Sequence, residues 1–255
     1  MKKYLLVVLL VASGLIGAFL FGRPAHVSAP HPTTAVKASP TPSPVKRPVF
    51  NSTLYSTNDP NSLWVITNKQ HALNPPNYVP SKLVVPNIPL RSNITSSEEY
   101  VRSDTASALN TLFSAAKSEA INLNLQSGYR SYGYQGSLYN RYVTQQGLAV
   151  ADSQSARPGY SEHQTGLAAD LGGSSDPACD VEQCYASTAE GKWLAANSYR
   201  FGFIVRYPAD KQNITGYSYE PWHIRYVGTE LSQEMHAKGI STLEEFFHVT
   251  GGENY

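Results

Sequence analysis

The hardest demand this sequence makes on any fold is that two short stretches, far apart along the chain, must meet. Residues 161–170 read Ser-Glu-His-Gln-Thr-Gly-Leu-Ala-Ala-Asp, and residues 220–223 read Glu-Pro-Trp-His. Together they offer two imidazoles and a carboxylate, at His163, Asp170 and His223, with a spare acid at Glu220. Three such ligands with one position left open is the pattern of a catalytic zinc rather than a structural one. A glutamate beside the site is the residue type that takes a proton from an activated water. The residues therefore point to a zinc hydrolase. In a regular strand, residues three apart face opposite sides, and Pro221 cannot donate to a ladder. Glu220 is thus expected in a turn just before a strand that begins near His223, so that both side chains enter one cleft.

Other histidines carry no such surroundings. His26, His31, His71, His236 and His248 read as ordinary surface or core residues. A serine hydrolase is a weaker reading of the same stretch. Gly159-Tyr160-Ser161-Glu162-His163 approaches a G-x-S-x-G elbow, but its last position is histidine. A Ser161–His163–Asp170 triad would also leave Glu220 and His223 idle.

The chain has 255 residues, enough for one domain of about 200 residues plus extras. Its net charge of +1 gives no field that argues for nucleic acid. Seventeen tyrosines suit half-buried surfaces and pocket walls alike. After Met1-Lys2-Lys3, residues 4–21 run without a charge. As a helix this run covers roughly 27 Å, close to a bilayer core. Two readings follow for residues 1–23. One is an uncleaved membrane anchor, favoured by the length of the run. The other is a signal peptide cleaved after Val27-Ser28-Ala29. Either way Lys2 and Lys3 stay inside and the remainder is exported. Residues 24–49 read as a proline-rich extracytoplasmic linker, with six prolines between Pro30 and Pro48. The folded domain is expected over 50–255.

Within it, residues 62–67 have strand character, and a helix is expected over 103–122, where Leu109, Leu112, Phe113 and Ala116 share one face. Residues 123–127 alternate like a strand, and a helix follows over 132–146, closed by Gly147. Ser187-x-x-Glu190 and Ser241-x-x-Glu244 read as capping boxes of two later helices. Residues 203–207 and 223–227 read as strands. The mixture lacks a strict βαβ alternation, so an α+β domain with a small, mainly antiparallel sheet and flanking helices is expected. Cys179 and Cys184 are the only cysteines. In an exported chain they read as a disulfide, worth about 2 kcal/mol in the chain-entropy model, that pins the loop after the first metal stretch.

The motifs resemble those of the zinc D-alanyl-D-alanine carboxypeptidases of the VanY type, in the M15 peptidase group. The matching stretches are Ser127-Gly128-Tyr129-Arg130-Ser131 with Gln135, residues 155–166, and Asp170. Gly191-Lys192-Trp193-Leu194, Phe201-Gly202-Phe203 and residues 220–228 complete them. Resemblance runs over roughly 62–248. It implies the Hedgehog/D-Ala-D-Ala peptidase kind of fold, Zn2+ held by His163, Asp170 and His223, and Glu220 as the base. It further implies Arg130 at the scissile carbonyl, with Ser161 and Gln135 contacting substrate. Tyr160 and Trp222 flank these groups and are candidate pocket walls. Arg130 has two physical roles open to it, holding an oxyanion or clamping a substrate carboxylate.

The implied substrate is a peptidoglycan stem peptide or precursor ending in D-Ala-D-Ala, processed outside the cytoplasm by a monomer attached to the membrane through its N-terminal segment. An endopeptidase of the same group is the alternative. A wall-binding module with a purely structural zinc is disfavoured, because such a site needs neither Glu220 nor Arg130.

Overall fold

The apolar face at Leu109, Leu112, Phe113 and Ala116 does form a helix, and the main sheet packs on it. The structure, a computed structural model, describes residues 50–255. The expected anchor or signal, the linker, His26 and His31 lie outside the described residues. Among the described residues no helix is long and apolar enough to cross a membrane.

In chain order the elements begin with β1 (Leu83–Val84), β2 (Val101–Arg102), α1 (Ser103–Ser118) and β3 (Leu123–Ser127). Next come α2 (Tyr132–Gln146), α3 (Leu148–Gln154), β4 (Ala168–Gly173), α4 (Ala189–Asn197) and β5 (Phe203–Tyr207). The chain ends with α5 (Gln212–Thr215), β6 (Glu220–Tyr226), α6 (Thr229–Lys238) and α7 (Leu243–Phe247). β1 and β2 pair by themselves, and the main sheet has the order β3-β4-β6-β5, antiparallel throughout. This is the expected α+β architecture.

One face of the sheet presents Leu125, Ala169, Leu171, Phe203 and Ile224 to α1 and to Leu194 of α4. Each large side chain buried there contributes roughly 1.5–3 kcal/mol. A second core gathers Trp64, Ile204, Val227, Leu231, Met235 and Leu243. α1 stops before the expected 122, because Ala120 turns left-handed at φ 60 and Ile121 N–H bonds back to Ala116 O at 2.9 Å. α2 has its expected bounds, but after Gly147 the chain restarts at once as α3, which the sequence reading did not anticipate.

Three other expectations are corrected. Residues 62–67 form no strand. Their carbonyls go elsewhere: Arg225 Nη2 donates to Leu63 O at 3.2 Å and to Val65 O at 2.8 Å. Both N-caps move by one residue. Thr188, not Ser187, accepts from Gly191 N–H at 3.0 Å, and Thr242, not Ser241, accepts from Glu245 N–H at 3.2 Å. The shift frees Glu190 and Glu244 for other contacts. Glu190 accepts from the backbone of Ser174 and Ser175, both at 3.1 Å. Glu244 is taken by a buried arginine described below.

Candidate metal centre and active site

β4 and β6 place the first two candidate ligands by register alone. Asp170 lies directly opposite His223, while their neighbours Ala169 and Ile224 are paired and point to the α1 core. Alternation along both strands therefore puts the acid and the imidazole together on the other face. Glu220 is not in a turn, as expected, but begins β6 itself. The spacing problem is solved by an irregularity. Val205 pairs with Ile224 but Tyr207 pairs with Glu220, so two steps along β5 match four along β6. That bulge, containing Pro221, returns Glu220 to the side of His223, with Glu220 Oε2 3.6 Å from His223 Nδ1.

His163 arrives from a 3-10 turn, Glu162–Thr165, which ends at Gly166 in the left-handed region at φ 69. Its Nδ1 is 2.6 Å from Gly128 O. A carbonyl only accepts, so Nδ1 carries the proton and Nε2 keeps its lone pair. Gly128 must be glycine for this. A Cβ there would collide with Tyr100 O and stand 2.8 Å from Glu98 O.

His163, Asp170 and His223 are all buried, and one ligand atom from each falls within 4.8 Å of the others. His163 Nε2 is 3.2 Å from Asp170 Oδ2, and His223 Nδ1 is 3.1 Å from Asp170 Oδ1. Yet among the described residues His163 Nε2 and Asp170 Oδ1 have no hydrogen-bond partner. Buried polar atoms are rarely left so. Lone pairs that converge on one point without a donor fit a cation, and this N/O donor set fits zinc.

The electrostatics agree. Burial lowers the His163 ring below its ordinary value, aided by the Arg130 charge. Asp170 is held well below the carboxylate range: burial opposes this, but His163 and His223 outweigh it. Burial also works against a charge on His223, yet Asp170 and Glu162 push it up to about 9, so this point in the molecule calls for positive charge. Burial pushes the Glu220 carboxyl up to about 8. Arg130 Nη2 stands 4.0 Å from Asp170 Oδ2, and its buried Nε is without a partner.

These groups line one cleft of about 530 Å³. Ser161 and Trp222 also line it. Two other candidates do not. Gln135 is buried behind the wall, where its Nε2 donates to Ala156 O at 2.8 Å and Ser155 Oγ at 3.2 Å. Tyr160 packs edge-on against Tyr255, ring centroids 5.1 Å apart. His163 is not set to activate Ser161, because it commits Nδ1 to Gly128 and turns Nε2 to Asp170. The Cys179–Cys184 disulfide is formed, and its loop brings Val181, Glu182 and Gln183 to the cleft rim.

Sequence reading missed a buried charge network behind the site. Glu162 Oε1 accepts from Arg206 Nε at 2.8 Å and from Arg225 Nη1 at 2.7 Å. Arg206 also grips Glu244 with Nη1 at 3.0 Å and Nη2 at 2.7 Å. Asn68 Nδ2 adds a bond to Glu244 Oε1 at 2.9 Å. Both arginines are fully buried. A signal was available: Arg206 and Arg225 interrupt apolar strand runs, and a charge at an inward strand position needs a buried partner.

Comparison with known proteins matches this arrangement. The family model described as VanY: D-alanyl-D-alanine carboxypeptidase fits residues 98–229. The protein YodJ of Bacillus subtilis (strain 168) is 42% identical over 194 residues, covering 76% of this chain and 70% of its own. Among solved structures, the LD-carboxypeptidase LdcB superposes with a TM-score of 0.69 at 42% identity, covering 75% of this chain and 88% of that one. A zinc-bound variant of the vancomycin-resistance D,D-pentapeptidase VanY superposes with a TM-score of 0.58 at 33% identity, covering 72% and 97%. Fold and site define a peptidase. The chain belongs to the VanY family of D-alanyl-D-alanine carboxypeptidases.

Proposed function

We propose that this protein is a zinc-dependent D-alanyl-D-alanine carboxypeptidase that releases the terminal D-Ala from peptidoglycan stem peptides. The observation that carries the reading is the convergence of His163 Nε2, Asp170 and His223 Nδ1 beside Glu220 in a cleft, with His163 Nε2 and Asp170 Oδ1 left unpaired among the described residues. His163, Asp170 and His223 would hold the ion. Bound there, zinc supplies a Lewis acid for the scissile carbonyl and lowers the pKa of the attacking water.

The chain's own residues do the rest. Glu220, whose burial makes a carboxyl ready to hold a proton, accepts one from the water at a carboxylate oxygen. It then delivers that proton to the leaving amine. Arg130 presents its guanidinium to the cleft beside Asp170, where it stabilises charge developing on the carbonyl oxygen. Ser161 and Trp222 lie on the cleft wall and orient the peptide terminus. Gln135 acts one step back, holding the 155–156 segment that also lines the cleft.

The similarity to LdcB supports a second reading, removal of a terminal D residue from an L,D bond. One experiment separates them. The purified domain is incubated with a pentapeptide ending in D-Ala-D-Ala and, separately, with a tetrapeptide ending in a single D-Ala, and products are identified by mass. Free D-Ala from the pentapeptide alone supports the D,D reading. Release from the tetrapeptide alone supports the second. Cleavage only at an internal bond makes the protein an endopeptidase. The substrate lies outside the cytoplasm, and we propose export with residues 1–23 as anchor or signal. Protease added to intact cells then removes the catalytic domain while cytoplasmic proteins stay whole.

A further inference from the structure

The catalytic reading uses one side of the His223 ring. Its other nitrogen, Nε2, is buried and among the described residues has no hydrogen-bond partner, and 3.5 Å away lies Glu162 Oε2, also buried and also without one. The other oxygen of that carboxylate, Oε1, is held twice, by Arg206 at 2.8 Å and by Arg225 at 2.7 Å. Two guanidiniums thus fix one end of the carboxylate and leave the other aimed at the imidazole. All three side chains are 0% exposed.

We infer that Glu162 is a positioning residue for the metal site: its Oε2 accepts a hydrogen bond from the Nε2–H of His223, so that Nδ1 is the nitrogen presented to the ion. The inference rests on the zinc reading above. Its physical basis is that a ligating imidazole is oriented, and its tautomer chosen, by the acceptor on its far nitrogen. His163 achieves the same with a backbone carbonyl, through Nδ1 and Gly128 O at 2.6 Å, leaving Nε2 free. The two ligands are therefore set in opposite tautomers by different means, one by backbone and one by a clamped carboxylate. Arg206 and Arg225 serve the site through Glu162, and Glu244 holds Arg206 at 2.7 Å.

Zinc affinity tests the inference directly, using the whole protein and competition with a chelating dye. Glu162→Gln keeps the shape and removes the charged acceptor. It is expected to weaken zinc binding by about 10–100-fold, the usual effect of losing such an outer partner. Glu244→Gln removes the same charge from the same network without touching His223. It is expected to lower the melting temperature while leaving zinc affinity within about 2-fold. Equal affinity in Glu162→Gln and the parent overturns the inference, as does a comparable loss in Glu244→Gln, which would mark the effect as general loosening.

If Glu162→Gln does not fold, the imidazole nitrogens of the zinc-loaded parent are read by NMR. A proton on Nε2 of His223 with Nδ1 ligated supports the inference, and the reverse tautomer overturns it. Failure of the parent to bind zinc at all would instead overturn the zinc reading itself.

Discussion

The two sides of the His223 ring both hold buried ionisable groups and treat them in opposite ways. On the Nδ1 side, His163, Asp170 and Glu220 crowd together facing a cleft, and His163 Nε2 and Asp170 Oδ1 are unpaired among the described residues. On the Nε2 side, Glu162, Arg206, Arg225 and Glu244 form two negative and two positive charges, closed from solvent. The first cluster has a deficit of positive charge. The second balances its own. Burial alone therefore does not mark a functional site. What marks it is buried polar atoms whose complement must come from outside the chain.

This contrast can be broken experimentally, and the largest effect is expected at the unpaired cluster. His163→Ala removes one of three ligands. Zinc content by atomic absorption should fall to background, and carboxypeptidase activity with it. Stoichiometric zinc in that variant would refute the ligand set. Glu220→Gln should keep its zinc and lose turnover by about 10²–10⁴-fold, the span of a general base. Near-normal turnover would mean that another group takes the proton.

Across the ring the readout changes from chemistry to stability. Arg206→Ala leaves Glu162 and Glu244 short of a buried partner. It should destabilise the fold by about 3–5 kcal/mol in denaturant unfolding, as breaking a buried pair does. A loss below about 1 kcal/mol would mean that the network is slack. Arg130→Ala returns to the cleft, with an expected fall of about 10²–10³-fold in kcat if the guanidinium serves the oxyanion. A rise confined to KM would assign it to the substrate carboxylate instead.

Acid should separate the two clusters most gently. Zinc binding needs neutral imidazoles, and His223 favours its proton, pushed up to about 9 by Asp170 and Glu162 against burial. Glu162 behaves in the other sense. Burial raises it, but Arg206 and Arg225 bring it well below its ordinary 4.5. Its contribution to stability is thus present above that value and lost only as pH falls through the depressed one. Zinc released to a dye as pH falls should precede loss of near-UV circular dichroism. Coincident transitions would show that the metal holds the fold together.

What could be read in advance follows local physics. The helix 132–146 and the strands 123–127 and 203–207 appear with their expected bounds, since periodicity, turn glycines and β-branched runs act within a few residues. The central strand β4 was hidden because Ala-Ala-Asp-Leu-Gly-Gly has little strand propensity; it is a strand because both neighbours pair with it. Residues 62–67 show the reverse. They have strand character but no strand partner, and a buried guanidinium satisfies two of their carbonyls.

By itself, the sequence determined which chemistry was present: two imidazoles, an acid and a spare glutamate in two stretches, with a cysteine pair and a mixed helix–strand pattern around them. Those are properties of residue types and short spacings. Tertiary structure decided how they are used. The N-caps shifted to Thr188 and Thr242 because a serine and a threonine stand side by side at each helix start. Local rules do not choose between them, whereas packing required Glu190 and Glu244 elsewhere. Glu220 faces His223 because of a bulge against β5, a strand whose register no spacing within 220–223 encodes. Glu162 became the partner of two arginines more than forty residues away, and Gln135 and Tyr160 stayed behind the cleft wall. Which donor meets which acceptor is a matter of strand register and burial, and those are set only when the whole core packs.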